Sequence, residues 1–169
     1  QSSSLFGCHT ATGSASDYDF PAAANDVSNF QVFAVRRADE SDDVKFQLTG
    51  TVGGFVGEES LETSIYADVY NNEKWTLAVR VYPATYPQSG IVLNDGTYKV
   101  DFYGVNVRTD LVLNEFELTG TLTEAQANSF FNNPKRFFVG AHKTHATGSV
   151  INKSDVKVSA CRVWMDYVE

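Results

Sequence analysis

The sequence is poor in several residue types, and each scarcity limits what the protein can be. It has one methionine, two cysteines and 13 basic residues against 21 acidic ones, which gives a formal net charge of −8. No apolar run approaches the roughly 20 residues that a membrane-spanning helix needs. Together with the absence of any lysine or arginine cluster, this predicts no membrane insertion and no nucleic-acid partner. Cations are the favoured partners of such an acidic chain.

The sequence also lacks the short motifs of several enzyme classes. It contains no G-x-S-x-G element, no glycine-rich phosphate loop after a strand, and no C-x-x-C-H site for covalent haem. Serine-hydrolase chemistry of the elbow type, nucleotide chemistry and a covalently attached c-type haem are therefore not expected. Any redox chemistry would need a metal that the protein side chains hold.

What the sequence does have is the alternation of apolar and polar residues that is typical of strands. Residues 74–82 place Trp75, Leu77, Val79 and Val81 on one face, and residues 61–69 alternate in the same way. These two segments are predicted to form a hairpin through a turn at 71–73. The full set of predicted strands is 31–37, 44–52, 61–69, 74–82, 97–105, 111–121, 135–141 and 156–167. The expected fold is all-β, an antiparallel β-sandwich of about eight or nine strands with one short helix.

One helix is predicted at 123–132, between the predicted strands at 111–121 and 135–141. Thr123 and Gln126 have the spacing of a capping box, and Pro134 ends the segment. The length of 169 residues fits one domain with a single core. We expect a single sandwich domain over 26–169 and an amino-terminal arm, 1–25, that packs on it.

The two cysteines, Cys8 and Cys161, lie near opposite ends of the chain. We predict a disulfide between them, which would imply an oxidising compartment such as the secretory pathway. The tripeptide Asn152-Lys153-Ser154 is a glycosylation sequon and agrees with that route. The chain begins at Gln1 without a methionine, which predicts that a signal peptide or other leader precedes it.

Two histidines, His142 and His145, are the candidates for catalytic groups and for metal ligands. They follow a predicted strand, and imidazole is the commonest metal ligand and titrates near neutrality. Residues three apart in a strand point to opposite faces, so the pair needs a turn between them to share one ion. Asp17 and Asp19 are the candidate carboxylate ligands, because residues two apart in an extended arm share a face.

Each candidate also has a plainer interpretation. The aspartates fit a solvated loop, and the histidines fit a loop without a metal. Asp68 and Asp101 lie in predicted strands, where an outward carboxylate is ordinarily solvated, although burial of either would make it a strong site candidate. The many tyrosines could form a platform on which sugars stack, or could belong to the core.

Two resemblances extend these predictions. Residues 132–148, with N-N-P, F-F-V and A-H-K-T-H, resemble the closing segment of CHRD-type sandwich domains. The whole chain resembles the secreted, tardigrade-specific family of manganese-dependent peroxidases, through its acidic all-β character, its two distant cysteines and its C-R-V-W-M-D-Y-V ending. That family implies a β-sandwich in the Golgi or elsewhere in the secretory pathway, linked to desiccation and oxidative stress.

The resemblance implies a peroxidase that reduces hydrogen peroxide with Mn²⁺ as the electron donor, and it allows Zn²⁺ as the bound ion. Carboxylate and imidazole ligands suit such a centre. The alternative is a secreted sandwich without catalytic activity that binds glycans or another extracellular protein. A third possibility is a structural Ca²⁺ or Zn²⁺ site in an inactive module.

Overall fold

The computed structural model of the chain describes residues 1–10, 30–50, 60–84, 97–132, 135–143 and 150–164. Within these residues it contains ten strands and one helix. The elements are β1 (Ser2–Thr10), β2 (Phe30–Arg36), β3 (Val44–Gly50), β4 (Leu61–Glu62), β5 (Trp75–Pro83), β6 (Tyr98–Arg108), β7 (Leu111–Leu122), α1 (Glu124–Asn132), β8 (Lys135–Val139), β9 (His142–Lys143) and β10 (Val150–Asn152).

The strands form two antiparallel sheets and a short ribbon. One sheet has the order β4-β3-β2-β1-β8, the other has the order β5-β6-β7, and β9 pairs with β10 alone. All pairings between the named strands are antiparallel. The predicted all-β, antiparallel sandwich with one short helix is confirmed.

The core lies between the inner faces of the two sheets. In β2 and β3 every second residue is buried, as the sequence alternation predicts. An aromatic cluster joins the sheets, with the ring centroids of Phe46 and Trp75 4.8 Å apart and those of Phe46 and Phe116 5.7 Å apart. Burying a side chain of this size stabilises the fold by about 2–3 kcal/mol.

Gly104 of β6 is required by this packing. A Cβ atom at that position would lie 2.3 Å from Cε1 of Phe116 and 2.7 Å from Cδ2 of Leu77. Both distances are far shorter than a van der Waals contact, so only glycine lets the ring of Phe116 lie against the strand.

The helix α1 begins and ends as predicted. Gln126 donates its backbone N–H to Thr123 Oγ1 at 3.3 Å, and the Gln126 side chain accepts the Thr123 backbone N–H at 2.8 Å. This reciprocal pair is a capping box. Phe130 packs on Phe30 and Phe131 packs on Tyr98, which fixes the helix against both sheets.

The predicted hairpin between residues 61–69 and 74–82 is wrong. β4 contains only Leu61–Glu62 and pairs with β3, whereas β5 pairs with β6. Residues 67–72 form turns in which Asp68 and Asn72 have positive φ angles of 58° and 60°. The alternation in 61–69 is real, but a chain that turns at 67–72 cannot keep a long ladder there.

The two ends of the chain also differ from the predictions. Ser2–Thr10 of the expected arm is a strand that pairs with both β2 and β8, so it lies inside the sheet; residues 11–25 lie outside the described residues. The predicted strand at 156–167 is wrong for 156–164, which the structure shows as irregular and mostly exposed. Positions 165–167 lie outside the described residues.

The structure does not contain the predicted disulfide. Cys8 and Cys161, which the structure describes, are separate thiols. Cys8 faces the core from β1, whereas Cys161 lies in the exposed segment 156–164. Burial, opposed by smaller contributions from Phe30 and Lys135, raises the pKa of the Cys8 thiol to about 12. Among the described residues, no helix is long and apolar enough to cross a membrane.

Candidate functional site

His142, the first predicted ligand, is a buried side chain and not an exposed loop residue. It is 1% exposed, begins β9, and stacks on Phe138 with the ring centroids 4.0 Å apart and the planes 5° from parallel. Nε2 of Gln31 lies 2.6 Å from its Nδ1, and Nδ2 of Asn152 lies 3.5 Å from the same atom. In this arrangement both amide nitrogens point at Nδ1, so the imidazole is held in one orientation.

The cross-strand neighbour of His142 differs from the one that a simple hairpin predicts. If residues 135–141 and 156–167 formed a hairpin around the loop near Ser149, Lys157 would lie roughly opposite His142, but the structure pairs His142 with Asn152. The Asn152 side chain is half-buried and also lies 3.4 Å from Oε1 of Gln31. A glycan on the predicted sequon would have to displace this amide from the His142 side. Asn152 glycosylation stays a prediction.

The structure does not describe the other three predicted ligands. His145, Asp17 and Asp19 lie outside the described residues. In the part of the chain that the structure describes, no three His, Cys, Asp or Glu side chains come close enough to hold a metal ion. The metal and catalytic assignments of these residues stay predictions.

A second group of polar residues lies on the solvent side of the sheet β5-β6-β7. Side chains alternate along each strand, and Val100 and Phe102 point to the core. The residues between them form what we call the outer face, in which three strands lie side by side in register. The outer face comprises Thr76, Ala78, Arg80 and Tyr82 on β5, Lys99, Asp101, Tyr103 and Val105 on β6, and Glu115, Glu117, Thr119 and Thr121 on β7.

Asp101 is the unexpected member of the outer face, because it is only 1% exposed. Its neighbours across the two ladders are Arg80 and Thr119. Arg80 Nη2 donates to Asp101 Oδ2 at 3.1 Å, and Thr119 Oγ1 donates to Asp101 Oδ1 at 2.8 Å. Of the two interpretations of Asp101, the buried one is correct, because the flanking strands contribute one cation and one hydroxyl that cover it.

Arg80 joins Asp101 to a second carboxylate. The same Nη2 atom lies 2.6 Å from Glu117 Oε1, so two carboxylate oxygens converge on one nitrogen. The Arg80 Nε atom is buried and has no hydrogen-bond acceptor among the described residues. A buried donor without a partner costs about 1–3 kcal/mol, so the network is one acceptor short of complete.

Beside this network the outer face has an aromatic ring next to a small residue. Tyr103 lies between Ala78 and Glu117 in the ladders, and its hydroxyl donates to Glu115 Oε1 at 2.7 Å. This hydrogen bond, with a smaller contribution from burial, raises the pKa of Tyr103. Ala78, which lies across the ladder from Tyr103, presents only a methyl group beside the Tyr103 ring. Arg80 lies two residues further along β5 on the same face.

A third cluster ties the carboxyl-terminal segment to the five-stranded sheet. The Arg36 guanidinium lies 3.5 Å above the Tyr70 ring and donates to Asp155 at 3.0 Å, and the Tyr70 hydroxyl donates to Asp155 at 2.8 Å. The Asp155 backbone N–H donates to Ser3 Oγ at 2.9 Å. Burial and the contact with Asp155 raise the pKa of Tyr70 to about 12. Because these polar groups are paired with one another, the cluster is structural and holds the carboxyl-terminal segment against the five-stranded sheet.

The sequence indicated the residues of these three clusters to different degrees. His142 was found because histidine is rare in this chain. Asp101 carried only a weak signal, an acidic residue between two buried apolar ones, and its burial depends on a register that joins residues 21 and 18 positions away.

No family model, curated protein or solved structure matches the chain.

Proposed function

We propose that this protein is a non-catalytic binding module that recognises a polyhydroxylated ligand, such as a glycan, on the outer face of the sheet β5-β6-β7. The observation that carries the proposal is the buried carboxylate of Asp101, held by Arg80 and Thr119 on a surface that otherwise faces water. Oriented carboxylates and guanidinium groups recognise hydroxyls, because the first accepts and the second donates hydrogen bonds.

The aromatic ring beside the network supports the choice of a sugar-like ligand. Sugars have an apolar C–H face and a rim of hydroxyls, and Tyr103 with Ala78 presents an apolar surface next to Arg80 and Glu117. A ring that packs on such a ligand while the rim meets charged groups gives both affinity and orientation. Arg80 Nε would gain an acceptor if a ligand oxygen or a bridging water reached it.

The test is a titration of the protein with neutral mono- and oligosaccharides, followed by calorimetry and by the chemical shifts of the outer-face residues. Tyr103→Ala should weaken binding about 2- to 12-fold, since ring contacts contribute about 0.5–1.5 kcal/mol. Tyr103→Phe should stay within about twofold of the wild type because it keeps the ring. Thr121→Ala, on the last row of the same face, is the matched control.

Two results would contradict the proposal. One is that no saccharide shifts the outer-face resonances although the protein is folded. The other is that a saccharide binds equally well to the wild type and to Tyr103→Ala, which would place the site elsewhere.

A second candidate function is the manganese-dependent peroxidase that the family resemblance implies, in the secretory pathway and with Mn²⁺ or Zn²⁺ bound. It is favoured by the fixed, buried position of His142 between Gln31 and Asn152. For Nε2 to bind an ion, Nδ1–H would have to donate to an amide oxygen of one of these two side chains, which requires that amide to be turned. His145, Asp17 and Asp19 would complete such a centre. Hydrogen peroxide would then be the oxidising substrate.

Metal analysis of protein purified without added ions, followed by a peroxide assay with Mn²⁺, separates the two functions. The assay compares the wild type with the double variant His142→Asn/His145→Ala. Loss of Mn-dependent turnover in the double variant, with its fold retained, would support the histidines as ligands. A wild type that shows no Mn-dependent turnover would eliminate the enzyme.

A further inference from the structure

Residues 156–164 have the composition of a strand but do not form one in the structure. Their sequence, V-K-V-S-A-C-R-V-W, is rich in residues that favour sheets. All side chains from 157 to 164 are exposed, and Trp164 is 58% exposed. In the described ranges this segment pairs with no strand. An apolar strand-like segment left in water is a common mark of an interaction site.

β7 offers an edge that such a segment could join. It is the last strand in the order β5-β6-β7, and it pairs with β6 on one side only within the described residues. Leu111 is 63% exposed and Val112 is 53% exposed at the beginning of the strand. An open strand edge with exposed apolar side chains can accept another strand through main-chain hydrogen bonds.

The charges of the two elements are complementary. Residues 156–164 contain Lys157 and Arg162 and no acidic residue, whereas β7 contains Glu115 and Glu117 and no basic residue. Opposite charges across a strand pair stabilise it, and like charges directly opposite destabilise it. Lys157 and Arg162 are five residues apart and point to opposite faces of an extended segment, so one of them can lie opposite Glu115 and Glu117. That charge pair favours this segment over an acidic one as the partner of β7.

The segment and β7 are attached to different sheets of the sandwich. A Cβ on Gly120 of β7 would lie 3.6 Å from Leu61, which places β7 beneath β4. The segment that continues into 156–164 leaves the sheet beside β1, where Ser4 N–H donates to Lys153 O at 2.8 Å. The contacts of Asp155 with Ser3, Arg36 and Tyr70 hold the start of the segment against that sheet.

We propose that two copies of this chain form a reciprocal dimer, in which residues 156–164 of each copy pair with the β7 edge of the other. Each copy gives one segment and receives one, which closes the assembly with twofold symmetry. The pairing covers the exposed valines and Trp164 of one copy and the apolar start of β7 in its partner. It uses the main-chain edge of β7, a strand whose Glu117 also contacts Arg80 in the Asp101 network.

The test is the oligomeric state of the purified chain, measured by sedimentation and by light scattering over a range of concentrations. The wild type should form a concentration-dependent dimer. Lys157→Glu/Arg162→Glu should shift it to monomer, and so should Glu115→Lys/Glu117→Lys. Combining all four substitutions restores opposite charges and should restore the dimer.

A charge-matched control keeps the result specific. Arg37→Glu/Lys74→Glu changes the net charge by the same amount outside both elements and should leave the dimer intact. Circular dichroism and thermal melting identify any variant that fails to fold, and deletion of residues 157–169 then supplies a second way to remove the segment. A monomeric wild type, a set of larger oligomers, or a quadruple variant that stays monomeric would overturn the reciprocal pairing.

Discussion

The ion pair between Arg80 and Asp101 allows a sharp test of the site, because one partner is buried and the other is partly exposed. The Asp101 side chain is 2% exposed and the Arg80 side chain is 30% exposed. Arg80→Met removes the guanidinium and leaves the carboxylate with the Thr119 hydroxyl as its donor. Breaking a buried pair by removing one partner costs about 3–5 kcal/mol, and we take about 3 because water can enter beside the shortened side chain.

This change should be visible in thermal unfolding. For 169 residues at about 2.1 cal/mol/K per residue, the unfolding entropy is about 0.35 kcal/mol/K, so a loss of about 3 kcal/mol lowers Tm by about 8 °C. Lys99→Met is the matched control, since it also replaces a cation by a thioether on the outer face. Its Tm should change by less than about 2 °C.

A double variant shows whether the buried charge is the cause. Arg80→Met/Asp101→Asn removes the cation and the anion together, so it should be more stable than Arg80→Met alone by at least about 1 kcal/mol. An Arg80→Met variant as stable as the wild type would refute the argument. A double variant no more stable than the single one would show that lost packing, not an isolated carboxylate, is responsible.

Three further predictions concern other parts of the chain. Gly104→Ala should destabilise the fold by about 1–3 kcal/mol in chemical denaturation, because its methyl group has no space against the neighbouring ring, and an unchanged midpoint would contradict this. Burial acts to raise the pKa of Asp155, but hydrogen bonds to the carboxylate outweigh it and hold the pKa below its ordinary 3.8. The stabilisation is therefore present above that value and is lost as pH falls through the lower folded pKa. Because Asp155 is partly exposed, Asp155→Asn should remove less than about 1 kcal/mol of stability at pH 7 and flatten the loss below pH 4. A thiol reagent should label only Cys161 in the native protein and should reach Cys8 after unfolding, because the thiolate is the reactive form and burial suppresses it; a native protein with no reactive thiol would support a disulfide.

The fold class could be predicted because strand alternation and helix capping are local properties. Residues 74–82 alternate, and β5 spans almost the same range; Thr123 and Gln126 are three apart, and α1 begins there. Strand partners could not be predicted in the same way. Residues 61–69 alternate just as clearly, and 156–164 alternate on each side of a register change at Ala160. The chain nevertheless turns at 67–72, and the later segment pairs with no strand in the described structure.

The candidate sites show the same difference between what local sequence predicts and what tertiary contacts decide. His142 stood out by residue type alone, but its burial and its contact with Gln31 join positions 111 apart in the sequence. Asp101 looked like a solvated strand residue until two ladders placed a cation and a hydroxyl beside it. The two cysteines illustrate the opposite error, since their positions near the chain ends indicated a disulfide, whereas in the structure Cys8 is buried and Cys161 is exposed.

By itself, the sequence determined the quantities that depend on residue type and short spacing. These are the acidic net charge, the all-β class, the position of the helix and the rarity of histidine and cysteine. The tertiary structure alone decided which strands pair, which charged groups are buried and which apolar segment remains in water. The reason is physical: periodicity assigns a side chain to a face, but only the register between distant strands determines what covers that face.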